Sequence, residues 1–145
     1  MVEIRFVKAT HDHEWVHYHR INEKQIFEPR NLVYNRERPC FTDPSHHHFV
    51  LYSGSDIVAM AHVQCLNENE VALKCLAIDM NFQHKGFGKI MMAFIEKWCL
   101  DQGRNVLKMH AALSAEHFYR QLGYVEMFFG EQSIAQDVID LGKYL

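Results

Sequence analysis

Apolar residues after Gly86 recur at helical spacing: Phe87, Ile90, Met91, Phe94, Ile95 and Trp98 predict an amphipathic helix, which Gly103 closes with a left-handed cap. Trp15 and Tyr18 share one face of an earlier helix predicted over residues 12–23. The first ten residues alternate as an edge or half-buried strand does. Residues 49–53 and 57–66 read as a hairpin turning at Gly54-Ser55-Asp56. Residues 71–79 form a fourth strand and 106–110 a fifth, while 124–129 and 134–141 close the sheet. Pro29, Pro39 and Pro44 make 28–48 a loop-rich insert. Ser114 to Gly123 predicts a short helix, with Ser114 as N-cap, Glu116 in the first turn and Gly123 as the stop. Phe118 and Leu122 share its inward face, which turns Tyr119 about a hundred degrees away. This order defines an α+β (or α/β) fold. A mixed, mostly antiparallel sheet is flanked by helices in a single domain, 1–145.

The segment Gln83-His84-Lys85-Gly86-Phe87-Gly88-Lys89 lies between a strand and the start of the long helix. A helix N-terminus leaves backbone N–H groups unpartnered and carries the positive end of the dipole, so it suits phosphate oxygens. A side chain at either glycine is expected to stand where a diphosphate would lie, with the fold left intact. Neither a P-loop nor a dinucleotide fingerprint fits. One residue separates the glycines, Lys89 is followed by Ile90, and the third-glycine position is Met91.

Taken with Phe118-Tyr119-Arg120-Gln121-Leu122-Gly123-Tyr124, the loop resembles the GNAT N-acetyltransferase superfamily. That family's acetyl-CoA loop reads Gln/Arg-x-x-Gly-x-Gly/Ala, and its late helix Phe-Tyr-x-x-Leu-Gly-Phe/Tyr. Leu76-Ala77-Ile78-Asp79 is similar to its strand before the loop, and the resemblance runs from about Phe49 to Tyr124. It implies a sheet splayed between the fourth and fifth strands and acetyl-CoA as co-substrate. Backbone groups of Leu76, Ala77 and Ile78 would hold the pantetheine arm, and Gln83 through Lys89 the pyrophosphate. Many members carry an asparagine at the position of Ala112, where this chain departs.

Acetyl transfer to an amine needs a donor for the oxyanion, a route for the amine proton and a donor to the leaving sulfur. The resemblance implies Tyr119 for the last role, since a phenol stays protonated at neutral pH. His62 and His110 are candidate bases, and imidazole titrates in the useful range. Glu68, Glu70 or water are alternatives. His46-His47-His48 reads as an exposed loop entering a strand rather than a metal site, because neighbours on a strand point to opposite faces. Cys65, Cys75 and Cys99 lie in apolar runs and read as core residues rather than nucleophiles.

The chain has 145 residues, 48% hydrophobic, enough for a sizeable core. A net charge of −3 without a Lys/Arg run argues against nucleic acid, and no stretch suits a membrane or signal segment. Four cysteines without a C-x-x-C pair fit reduced thiols in the cytoplasm. The expected function is N-acetylation of a primary amine on a small molecule or peptide; a non-catalytic acetyl-CoA or amine sensor of the same fold is the alternative. The acceptor side falls in residues 20–48 and 126–142, where Glu23, Glu28, Asp43, Glu126 and Glu131 could attract a cationic amine. No metal is expected, and a homodimer through the last strands is plausible by analogy.

Overall fold

A computed structural model describes residues 2–130, 133 and 137–145. Glu131 and the first three residues of the last predicted strand lie outside these. Seven strands form one sheet: β1 (Ile4–Lys8), β2 (His46–Ser53), β3 (Asp56–Cys65), β4 (Glu70–Ile78), β5 (Val106–Ala112), β6 (Val125–Glu126) and β7 (Val138–Tyr144). Their order is β1-β2-β3-β4-β5-β7-β6. Every pairing is antiparallel except β4 with β5.

Period-two alternation splits the strand side chains between two cores. Phe49 and Leu51 pack with Met91, Met92, Ile95 and Cys99 of helix α2 (Phe87–Asp101). Val50 and Tyr52 face the other way, against Tyr18 and Ile21 of helix α1 (Asp12–Asn22). The first helix does not simply end near residue 23. It continues as a π turn, Glu23–Phe27, and a 3-10 turn, Glu28–Arg30, which Pro29 can occupy at the first-turn position. Among the described residues no helix is long and apolar enough to cross a membrane.

Three local expectations change. The histidine triplet is not an exposed loop: it opens β2, with His46 and His48 on the α1 face and His47 on the other, against Trp98. Hydrogen bonds explain this extension, since His46, His47 and His48 pair in register with Gln64, Val63 and His62. Ser114 is not the N-cap of helix α3 (Glu116–Gln121). A 3-10 turn, Leu113–Ala115, precedes that helix, and Ala115 takes the cap position without a side-chain bond. The strand after Gly123 is only two residues long.

The feature that positions the site is the parting of β4 and β5. Their parallel ladder ends at Leu73↔Met109, yet β4 continues to Ile78 and β5 to Ala112. A bulge assists the divergence. His62 pairs with Cys75 and Val63 with Leu73, which leaves Lys74 as the extra residue on β4.

Candidate active site

The opening between β4 and β5 holds a cavity of 360 Å³, lined on the β4 side by Leu73–Leu76 and on the β5 side by Met109–Ala112. Tyr119 and Ser114 close it from the α3 side, and Gln25 and Arg30 from the turns after α1. The edge of β4 beyond Leu73 has no β5 partner, so its backbone groups can serve a ligand's amides. Leu76, Ala77 and Ile78 stand on this segment.

The turn from β4 into α2 is held by charge and geometry. Asp79 is buried; its carboxylate accepts from the Asn81 backbone N–H at 2.9 Å and pairs with Arg20 at 2.9 Å. Gln83 donates through Nε2 to the Ile78 carbonyl at 3.2 Å and to Gln25 Oε1 at 3.2 Å. Its side chain therefore ties the loop to the strand end. His84 has φ +63° and Gly86 φ +85°, and Gly86 is the N-cap of α2. A β-carbon at Gly86 would meet nothing within 4 Å, so the space over the helix start is open. No acidic side chain sits in the first turn, while Lys85 and Lys89 flank it. Free donors, positive charge and open space together suit a diphosphate. At Gly88 a β-carbon would come 3.2 Å from Phe118 Cζ, so α2 approaches that ring closely here. Phe87 turns inward and packs on the core below the loop.

Tyr119 is 8% exposed, with its ring against Phe118 and Tyr124 at 5.0 and 5.8 Å. Its hydroxyl makes no hydrogen bond among the described residues, and burial pushes its pKa well above the ordinary phenol value. Cys75 lines the same cavity; burial lifts its thiol to about 11, which keeps it protonated and poorly nucleophilic.

The two candidate histidines have different surroundings. His110 lies opposite Asp140 in the β5–β7 register, and its Nδ1 is 2.5 Å from Asp140 Oδ1. A carboxylate only accepts, so Nδ1–H donates and Nε2 is left as the acceptor. Phe129 lies over the ring at 4.1 Å. His62 instead sits in a histidine cluster on β2 and β3. Its Nε2 is 2.7 Å from His46 Nδ1, and its ring lies 4.5 Å from His48. Burial, then the charges of His48, His46, Lys74 and Arg38, lower its pKa to about 2. A ring held in this way is a weak proton acceptor.

Behind the opening, a second cavity of 290 Å³ shares Arg30, Leu73, Lys74, Cys75 and His110 with the first. His62, Arg38, Phe27 and Phe129 also line it. The acidic residues expected to attract a cationic amine do not line either cavity: Glu23, Glu28, Asp43 and Glu126 lie elsewhere, and Glu131 is outside the described residues. Among the described residues no group of His, Cys, Asp and Glu is placed to hold a metal ion.

Sequence reasoning missed Asp140, Arg30, Arg38 and Lys74. Asp140 had a readable signal, a lone charge inside the apolar run Val138-Ile139-Asp140-Leu141. Lys74 had a weaker one, as a charge within an otherwise apolar strand, while the two arginines lie in an insert with no periodicity to place them.

Residues 44–126, more than half of the chain, match the acetyltransferase (GNAT) domain model. The chain belongs to the GNAT acetyltransferases. Its fold is similar to that of a GNAT-family acetyltransferase from Staphylococcus aureus Mu50, with TM-score 0.77, 15% identity and coverage of 98% of this chain and 99% of that one. It is also similar to FeeM, an N-acyl amino acid synthase from uncultured soil microbes, at TM-score 0.77, 12% identity and 99% and 92% coverage. A GNAT acetyltransferase from Elizabethkingia anophelis with acetyl-CoA bound matches at TM-score 0.70, 11% identity and 99% and 98% coverage. At these identities the structures share a fold. The family match defines an acyltransferase.

Proposed function

We propose that the chain is an acetyl-CoA-dependent N-acetyltransferase that moves the acetyl group directly to a primary amine. The observation that carries this reading is that His110, held by Asp140, and Tyr119 line one opening between β4 and β5. The residues fit the co-substrate: open space and free donors at Gly86, and an unpaired edge along Leu76, Ala77 and Ile78. Bound acetyl-CoA supplies an activated carbonyl and a thiolate leaving group. The amine nitrogen forms a bond to the acetyl carbon as the carbon–sulfur bond breaks; one amine proton passes to a base and the sulfur is left as thiolate. Backbone N–H groups of the β4 edge polarise the carbonyl.

His110 is the base: the Asp140 bond at Nδ1 selects the neutral tautomer whose lone pair is on Nε2 and stabilises the ring once it accepts the amine proton. His62 is the weaker alternative, since burial lowers its basicity and its Nε2 is already engaged; water is the other. Tyr119 donates a hydrogen bond to the departing sulfur. The burial that keeps the phenol protonated also places its pKa above that of an ordinary thiol, so net transfer of its proton is uphill. The protonated Cys75 thiol argues for direct transfer over an acyl-cysteine route.

Thiol release with acetyl-CoA and an amine panel tests the reading. Asp140→Asn is the sharper probe, because an amide can donate to Nδ1 and fix the opposite tautomer, with a proton on Nε2. We expect kcat/KM to fall roughly 10²- to 10⁴-fold, with acetyl-CoA affinity unchanged by calorimetry. An unaltered rate removes His110 from the mechanism. Tight CoA binding without thiol release from any amine removes transfer altogether.

A further inference from the structure

Two arginines from separate elements line the second cavity: Arg30 from the 3-10 turn after α1 and Arg38 from the loop before β2. No aspartate or glutamate stands among its described lining residues, although the whole chain has a net charge of −3. Asp137 reaches Arg30 only at 3.9 Å. Arg38 makes no ion pair with any described residue; its guanidinium lies 5.8 Å from the centre of the Phe27 ring. Arginine so placed presents a fork of donors that matches the oxygens of a carboxylate or phosphate. The Arg38 charge reaches the cavity interior: it helps hold His62 in its neutral form, and it favours the Cys75 thiolate against the burial that dominates there.

An acceptor that offered only an ammonium group would meet like charge here. An acceptor with an anionic group offsets it, and the same field favours loss of the amine proton before attack. The cavity volume suits a small molecule, and its junction with the first cavity, at Cys75 and His110, is where the amine would meet the acetyl group.

We infer that this cavity holds the anionic end of the acceptor, so that the amine acetylated is a small molecule carrying a carboxylate or a phosphate. The inference rests on the transfer reading for the word acetylated, though the anion site itself does not. Matched amines test it: phenylalanine against phenethylamine, β-alanine against its amide, and phosphoethanolamine against ethanolamine. Thiol release is followed at saturating acetyl-CoA, and calorimetry records binding of the same amines to CoA-loaded protein. The anionic member of at least one pair should show a KM roughly 10- to 100-fold lower, and the pair that does so separates carboxylate from phosphate. Arg38→Gln should erase the preference with acetyl-CoA affinity retained. Arg38 is exposed, so the variant should fold; Arg30→Gln provides a second, independent loss. Equal or better use of the uncharged partners overturns the inference, as does a preference that survives both substitutions. If no amine is turned over but an anionic amine binds and Arg38→Gln abolishes binding, the anion site stands and the transfer reading falls. Absence of both binding and turnover of every anionic amine overturns the inference.

Discussion

Tyr119 and Tyr124 are both buried phenols, yet they differ in what their hydroxyls meet. Tyr119 lines the opening without a hydrogen-bond partner among the described residues, whereas Tyr124 donates to Glu96 Oε2 at 2.8 Å. Lys143 reaches the same carboxylate at 3.2 Å and the Leu122 carbonyl at 2.9 Å. Removing one hydroxyl therefore has opposite consequences at the two positions. Tyr119→Phe deletes a donor that bonds only to a developing thiolate, so kcat should fall about 10- to 100-fold with cofactor affinity and melting temperature nearly unchanged. Tyr124→Phe withdraws a partner from a half-buried carboxylate and should cost roughly 1–3 kcal/mol of stability, with turnover within a few-fold of the parent. Stopped-flow or steady-state rates, set beside urea unfolding, separate these effects. A rate loss in Tyr124→Phe as large as that in Tyr119→Phe would remove the special role of Tyr119.

The β4–loop–α2 element makes the same point about its two glycines. Gly86 has a left-handed backbone and open space above it, while Gly88 lies where α2 comes close to the Phe118 ring. Gly86→Val should strain the N-cap and block the diphosphate, lowering acetyl-CoA affinity with a modest change in melting temperature. Gly88→Ala should instead lose stability by crowding the Phe118 ring, and Phe118→Leu in the same chain should restore part of that loss. Failure of the double variant to recover would mean that the Phe118 ring is not what limits this position. These differences also show what was legible in the residues beforehand. The helix after Gly86, the hairpin at Gly54 and the loop itself were readable, because local periodicity and glycine placement depend on near neighbours. The close approach at Gly88 was not, because it involves a ring thirty residues away. His46–His48 were misread because a polar run hides a strand whose partners, Gln64, Val63 and His62, are set by tertiary register. Asp140 acquired its meaning only when that same kind of register placed it across from His110.

Over the whole molecule, the α1 face of the sheet is unusual in burying histidines as neutral rings. His48 donates through Nε2 to the Cys40 carbonyl at 2.8 Å and accepts at Nδ1 from the Tyr18 hydroxyl at 2.6 Å, so both nitrogens are satisfied without a second proton. His19 Nδ1 meets Tyr34 at 2.5 Å, and His62 pairs with His46. Burial, above all, lowers His48 and His19 to about 4 and His62 to about 2. The unfolded chain titrates these rings near pH 6.5 and so binds more protons than the folded one below that value. Their stability contribution is accordingly complete above pH 6.5 and is lost as pH falls, down to about 4 for His48 and His19 and further for His62. Each ring adds a slope of about 1.4 kcal/mol per pH unit inside its window, so three give about 4. Glu14 adds a carboxylate effect of the same sign, but lower. Despite the cost of burial, hydrogen bonds from Tyr52, Thr10 and His11 lower its pKa to about 2, so its share is lost only below about pH 4.5. Urea unfolding between pH 7.5 and 4.5 should therefore show a steep fall in stability that comes chiefly from the histidines. His48→Gln, which cannot titrate, should be less stable at pH 7.5 but lose about one proton's worth of slope. A flat profile across this window would mean that the rings are not buried in their neutral form.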